Sequence, residues 1–286
     1  MVRFGAPIFT GQTNASEIDP DLLVAKHKEK GYTAAYAPLI DPKDSALIKK
    51  ARQAFENADI VLAEVGYWKN LMDLDDTLRK KHRAEMLDAF YLAEELGARC
   101  VVNISGVCCN GNEDFKFTEE SFSDDAFAAA VDMARYFIDT VKPKTAYFTY
   151  EIFPFNVVDS VESMQRLVKA VDRDMFGIHF DLCNLINSPR SYFGYKSIIE
   201  DTVKYLGDKI VAAHVKDIKI TAPSMSVILE EVQPGQGIID FGTFFSAIDK
   251  LPQAVPMMVE HLSTEQEYDD AAAHIRSEVK KAGITI

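Results

Sequence analysis

The chain is poor in most of what marks a secreted, membrane-bound or nucleic-acid-binding protein. Its four cysteines, Cys100, Cys108, Cys109 and Cys183, form no CxxC pair and make too sparse a set for a disulfide framework. They read as reduced thiols in a cytoplasmic protein. No apolar run reaches the roughly 18 residues that span a bilayer. The opening MVRFGAPIFTGQ lacks a charged segment leading into an apolar stretch and a cleavage site, so neither membrane nor export is expected. Positive charge is short: 31 Lys and Arg face 44 Asp and Glu, for a formal net charge of −13. That sign opposes the basic patches by which proteins track phosphate backbones, so nucleic acid is not an expected partner. No G-x-G-x-x-G follows the first apolar run, which leaves a dinucleotide site unsupported. Linkers rich in Pro, Gly or Ser, internal repeats and low-complexity tracts are missing too, so residues 1–286 read as one domain.

What is present is a regular alternation of two periods. β-rich apolar runs lie at 2–9, 33–39, 59–66, 99–106, 145–153, 176–182, 209–215 and 256–262. Helical patterns follow each of them, at 19–30, 43–57, 75–96, 123–140, 160–172, 195–206, 241–250 and 265–281. Eight strand-helix units over 286 residues predict the α/β class and a single (β/α)8 TIM barrel, not an open doubly wound sheet. Gly31 and Gly97 stand where helices end, and Asp19-Pro20 and Asp41-Pro42 where they begin. Pro234-Gly235-Gln236-Gly237, followed by Asp240, reads as a turn and a helix N-cap rather than a phosphate cradle.

Four strand-like runs, TAYFTYE, FGIHFD, KIVAAH and VPMMVE, end in Glu151, Asp181, His214 and Glu260. These residues are separated by 30, 33 and 46 positions, each about one barrel unit. At the carboxyl ends of barrel strands their side chains would meet in one mouth. Three carboxylates and an imidazole crowded together call for a positive partner, and a divalent cation is the simplest. The oxygen-rich set suits Mn²⁺ first, with Mg²⁺, Co²⁺ or Zn²⁺ as alternatives. His179 and Lys216 stand two residues from Asp181 and His214 and so share their inward face. His179 reads as a residue bonded to a carboxylate beside the substrate, and Lys216 as a holder of an anionic or oxyanion group. Asn184, Trp68, Arg190 and Asn103 are further candidates to touch substrate, and Ser105 to line the floor. His261 should face a helix, and His27, His82 and His274, in helical patterns, should lie on the surface.

Several stretches together resemble a known family. These are AEVGYWKN, LGARCVVNISG, YEIFPF, GIHFDLCNLINSPRSYF, AHVKDIK, PGQGIIDF and MMVEHL, at positions 63–70, 96–106, 150–155, 177–193, 213–219, 234–241 and 257–262. The chain resembles the xylose isomerase-like barrels of sugar phosphate isomerases and epimerases over nearly its whole length. The resemblance implies one divalent metal held by Glu151, Asp181, His214 and Glu260, with Glu151 and Glu260 flanking the substrate as acid and base. It departs from the ketohexose epimerases at three points. Val157 stands in place of a second Glu, Asn184 in place of a His, and no Arg follows His214 closely, Lys219 being the cation nearest the position where one would stand.

The expected function is therefore that of a metal-dependent sugar isomerase or epimerase, moving a proton next to a carbonyl through an enediolate. The alternative is a lyase of the same barrel family, a keto-inositol dehydratase or an oxidised-sugar C-deglycosidase. A metal-free sugar-binding barrel and an abasic-site endonuclease fit less well. The first would lose a ligand, and the second needs many more histidines than the 6 present. The expected partner is a small sugar or sugar-derived substrate, with a homo-oligomer left open.

Overall fold

Parallel strand pairing organises the chain. The computed structural model describes all residues except 13, 110–115, 117 and 222–225, and the Ser16 side chain. The strands are β1 (Val2–Gly5), β2 (Ala34–Ala35), β3 in two pieces (Val61–Leu62 and Glu64–Gly66) and β4 (Cys100–Asn103). They continue with β5 (Tyr147–Glu151), β6 (Phe176–Asp181), β7 (Ile210–Val215) and β8 (Val255–Val259). A parallel ladder runs β1-β8-β7-β6-β5-β4-β3, and β2 pairs with the first piece of β3. The Thr33 N–H donates to the Phe4 carbonyl at 2.9 Å and links β1 to the start of β2, completing the ring of a (β/α)8 barrel. That approach requires Gly5, where a Cβ would collide with the Ala34 carbonyl oxygen.

The helices are α1 (Pro20–Lys30), α2 (Ser45–Asn57), α3 (Asp76–Leu96), α4 (Asp124–Val141) and α5 (Val161–Val171). Then come α6 (Tyr195–Leu206), α7 (Phe241–Asp249) and α8 (Glu265–Lys281). Gly31 and Gly97 end α1 and α3 at φ of 68° and 69°, the left-handed conformation that stops a helix cheaply only at glycine. Asp19 caps α1 with Pro20 at its first position. Asp41-Pro42 does not open α2, contrary to expectation. Asp44 is the cap, taking the Leu47 N–H, while Asp41 accepts from Lys43 in the turn before it.

Apolar side chains such as Phe90, Phe137, Phe148, Phe180 and Phe244 fill the layer between strands and helices. Inside the ring the residues are smaller: Ala34, Ala63 and Met258 form one cluster, Cys100, Val211 and Ala212 another. Small walls there leave room for inward polar side chains. Two features had no counterpart in the periodicity reading. An antiparallel hairpin, Asp217–Ile220 with Leu229–Val232, leaves β7, and a short helix, Pro189–Phe193, precedes α6. Among the described residues no helix is long and apolar enough to cross a membrane.

Two of the helical histidines are buried, not on the surface. His27 Nδ1 lies 2.8 Å from the Leu23 carbonyl, with the ring edge-on to Tyr32 and Phe55. His82 Nδ1 meets the Asn70 carbonyl at 2.8 Å. Each satisfies a ring nitrogen on backbone, which removes the cost of burying it.

Candidate metal and active site

The site grows out of strand register. Asp181 pairs with His214 across β6 and β7, and Glu151 with His179 across β5 and β6. Partners in a parallel register share a face, so all four side chains point inward. Glu260 follows the last residue of β8, and Lys216 the last of β7. The ligand atoms of Glu151, Asp181, His214 and Glu260 lie within 4.8 Å of one another. His214 Nδ1 is the hub, 3.3 Å from Glu151, 3.1 Å from Glu260 and 3.8 Å from Asp181. Lys216 Nζ reaches Asp181 at 2.7 Å, Glu260 at 2.9 Å and Glu231 at 3.3 Å. Asn184 bridges the cluster, donating to Glu151 at 2.9 Å through Nδ2 and to Asp181 at 3.1 Å through its backbone N–H.

Burial makes these charges interact strongly. It works against the imidazolium of His214, but Glu260, Glu64 and Glu151 outweigh it and raise the pKa well above that of a free histidine. Burial would lift the carboxyls of Glu151 and Glu260, yet His214 holds both below the usual range. Asp181 goes the other way. Burial, with Glu151 and Glu260 beside it, lifts it to about 7 in spite of Lys216. Its Oδ2 is buried and, although 2.7 Å from Lys216 Nζ, makes no aligned hydrogen bond. The cluster is thus short of positive charge at the point where four donors converge. Three carboxylates and one imidazole suit a hard or borderline divalent ion, and that donor chemistry fits one.

A cavity of about 280 Å³ opens over the cluster, lined by Glu151, Asn184, Lys216, Glu260, Trp68 and Phe153, among others. Trp68 folds back over Gly66, where a Cβ would lie 2.6 Å from the indole Nε1. Asn103 does not face the cavity; its amide donates to the carbonyls of Tyr67 and Lys69 and so holds the loop carrying Trp68. Ser105, at φ 68°, turns away from the floor and donates to Asn156, and Ile104 lines the cavity instead. Arg190 is exposed on the short helix and is not among the described residues lining this cavity. His179 is fully buried beneath the cluster and does not line it either. His261 was expected to face a helix. A φ of 59° breaks the strand alternation there and turns the ring to the mouth, 2.8 Å from Glu231.

Two participants carried no recognised signal in the sequence reading. Glu64, in β3, is buried and sits between His179 Nε2 and His214 Nε2. Glu231 comes from the hairpin. Asp217–Ile220 alternates with period two, but Leu229–Val232 does not, so no pattern in the strand that carries Glu231 singled it out.

A closed β/α ring whose mouth gathers carboxylates, imidazoles and the Lys216 ammonium defines a barrel of the kind that does its chemistry at the carboxyl ends of its strands. The chain belongs to the xylose isomerase-like TIM barrel family, whose model matches residues 24–278. The fold is similar to that of a xylose isomerase-like TIM barrel protein from Mycobacterium smegmatis in complex with magnesium. That match has a TM-score of 0.70 and 14% identity, covering 98% of this chain and 97% of that one. It is also similar to D-psicose 3-epimerase with D-tagatose from Clostridium cellulolyticum H10, at TM-score 0.68 and 15% identity over 98% of both chains. IolI protein with a bound zinc atom gives TM-score 0.64 and 18% identity, covering 98% of this chain and 97% of that one. No curated protein matches the sequence.

Proposed function

We propose that this protein is a divalent-metal-dependent isomerase or epimerase of a sugar or sugar-derived carbonyl compound. The observation that carries the reading is the convergence of Glu151, Asp181, His214 and Glu260 within 4.8 Å, with Glu151 and Glu260 lining a cavity of about 280 Å³. Magnesium and zinc in similar barrels, and a ketose in one of them, support it. Glu151, Asp181, His214 and Glu260 would hold the ion, Mn²⁺ or a similar one. When bound, it would supply Lewis acidity to a carbonyl and an adjacent hydroxyl.

The chain's own groups account for the rest. Glu151 and Glu260 both face the cavity, and either can take the proton from the carbon next to the carbonyl while the other returns one. Removal of that proton gives an enediolate, and Lys216, 2.9 Å from Glu260, can hold its developing negative charge. Asn184, bonded to Glu151, keeps that carboxylate oriented toward the mouth. Trp68 and Phe153 exclude water on one side.

That apolar wall of Trp68, Ile104 and Phe153 also favours a second reading, a lyase acting on an oxidised glycoside with a less polar part. Both readings begin with the same proton transfer. The test is deuterium exchange from D₂O into ketoses, keto-inositols and 3-oxo-glycosides with Mn²⁺, using Glu151→Gln and Glu260→Gln as comparisons. General acid–base groups contribute about 10²–10⁴-fold, so each variant should slow exchange by that order while retaining much of its metal. Exchange at the parent rate in both would remove Glu151 and Glu260 as the base. Product analysis separates isomerase from lyase.

A further inference from the structure

The strongest feature that this chemistry leaves unused is the buried group beneath the cluster: Glu64, His179 and the far side of His214. We infer that Glu64 is a positioning residue that fixes His214 as a metal donor, an inference that rests on the metal reading above.

The geometry is specific. His214 turns Nδ1 toward Glu151, Glu260 and Asp181, so Nδ1 is the nitrogen that must offer a lone pair to an ion. A neutral imidazole then carries its one proton on Nε2. That nitrogen lies 3.3 Å from Glu64 Oε1. The other Glu64 oxygen, Oε2, takes His179 Nε2 in a short contact. His179 is fully buried and, among the described residues, its Nδ1 has no hydrogen-bond partner, so the bond to Glu64 is what orients that ring. One carboxylate thus accepts from two imidazoles, and the two rings stand 4.1 Å apart at their centroids. Carboxylate behind a ligating histidine sets its tautomer and strengthens its donor nitrogen. Glu64 comes from β3, on the far side of the ring from β7 in the ladder, and so meets His214 at the ring nitrogen turned away from Glu151 and Glu260.

The rival account makes Glu64, His179 and His214 a second metal site, since their ligand atoms also lie within 4.8 Å of one another. Two facts oppose it. His179 Nε2 and Glu64 Oε2 are already paired with each other in a short hydrogen bond, which an ion between them would have to break. His214 would also have to surrender both ring nitrogens to cations.

The test measures metal, not turnover. Parent and Glu64→Gln proteins are titrated with Mn²⁺, with free ion followed by electron paramagnetic resonance, and the histidine tautomers are read by ¹⁵N NMR on the Zn²⁺-loaded parent. A glutamine amide can accept from only one of the two rings, so affinity should fall about 10–100-fold with a stoichiometry of one unchanged. The NMR should show His214 bound to zinc through Nδ1 and protonated on Nε2. His179→Gln, which keeps a donor for Glu64, should lose less affinity than Glu64→Gln, and it serves if the latter fails to fold. Binding by Glu64→Gln within about twofold of the parent would overturn the inference. So would zinc on His214 Nε2, a second ion lost with Glu64, or a parent that binds no Mn²⁺. A parent that binds metal through this tautomer yet exchanges no substrate proton would instead sink the sugar reading and leave the inference standing.

Discussion

Trp68 is the chain's only tryptophan, and it covers one side of the cavity, so its emission reports on the mouth alone. Gly66 makes that placement possible, because any Cβ there would press on the indole at 2.6 Å. Gly66→Ala should therefore shift the emission spectrum and weaken substrate capture while leaving the fold's melting transition nearly intact. An unchanged spectrum in the variant, with and without Mn²⁺ and ketose, would show that the indole does not lie where the geometry puts it. At this scale the sequence was uneven in what it revealed. Glu151, Asp181, His214 and Glu260 were legible because a barrel repeats, and four polar residues recur at the ends of four apolar runs. Glu64 was not. Its partners His179 and His214 are 115 and 150 residues away, and β3 breaks just before it into two short pieces, so no local pattern singled it out. Arg190 was proposed for its loop, but a short helix carries it outward.

At the scale of elements, the loop Pro234-Gly235-Gln236-Gly237 shows how a hairpin is fastened to a barrel. The buried Asp217 carboxylate accepts from the N–H groups of Ile218, Gly235, Gly237 and Ile239 at 2.9 to 3.0 Å. The glycine-rich turn thus wraps a carboxylate, which agrees with the structural reading of that motif over a phosphate cradle. Asp217→Asn would aim an amide NH₂ at two of those donors, and leaving buried donors unpaired costs on the order of 1–3 kcal/mol each. Asp240→Asn is the contrast. Asp240 caps α7 through Thr243 N–H at 2.9 Å, and asparagine caps nearly as well, so what Asp240→Asn forfeits is the partly exposed ion pair with Lys196 at 2.9 Å, on the order of 1 kcal/mol. The pH dependence has a definite sign. Despite some burial, Lys196 and Thr243 depress the Asp240 carboxyl from 3.8 to about 2. Its contribution is therefore complete above about pH 4 and is lost as pH falls toward 2, a limb that Asp240→Asn should lack. Urea titrations of the three proteins between pH 2 and 7 decide both points. Equal stability of Asp217→Asn and parent would refute the clamp. The helices were legible within a residue or two at their ends, since periodicity and caps agree there, whereas several strands stop three or four residues short of the apolar runs, at Gly5, Ala35, Asn103 and Val259. The hairpin was missed because no two-residue turn marks it, and its strands are only four residues each.

For the whole molecule, the site is where the ring stores its charge imbalance. Strands β5 to β8 all deliver acidic or imidazole groups to one point, and the Asp181 carboxyl sits near 7 because burial and its acidic neighbours leave it without enough positive charge. On the proposed reading, a divalent ion would relieve this only in the folded state, where the four strand ends are assembled. Binding to the native state alone adds about 2.7 kcal/mol of stability when the free ion is a hundredfold above its Kd. For a chain of 286 residues that corresponds to a rise in Tm of roughly 5 °C, since each kcal/mol moves large domains by about 2–4 °C or less. Calorimetry with Mn²⁺, then with excess chelator, should show the rise and its reversal. Asp240→Asn should respond like the parent, because its cap lies outside the cluster, while Glu260→Gln should gain less. The net charge of −13 predicts a further control: monovalent salt screens exposed acidic groups but should not reproduce the effect on a buried cluster. A Tm that ignores both Mn²⁺ and chelator, or a sodium chloride shift as large as the manganese one, would show that these carboxylates do not act together as one cation site.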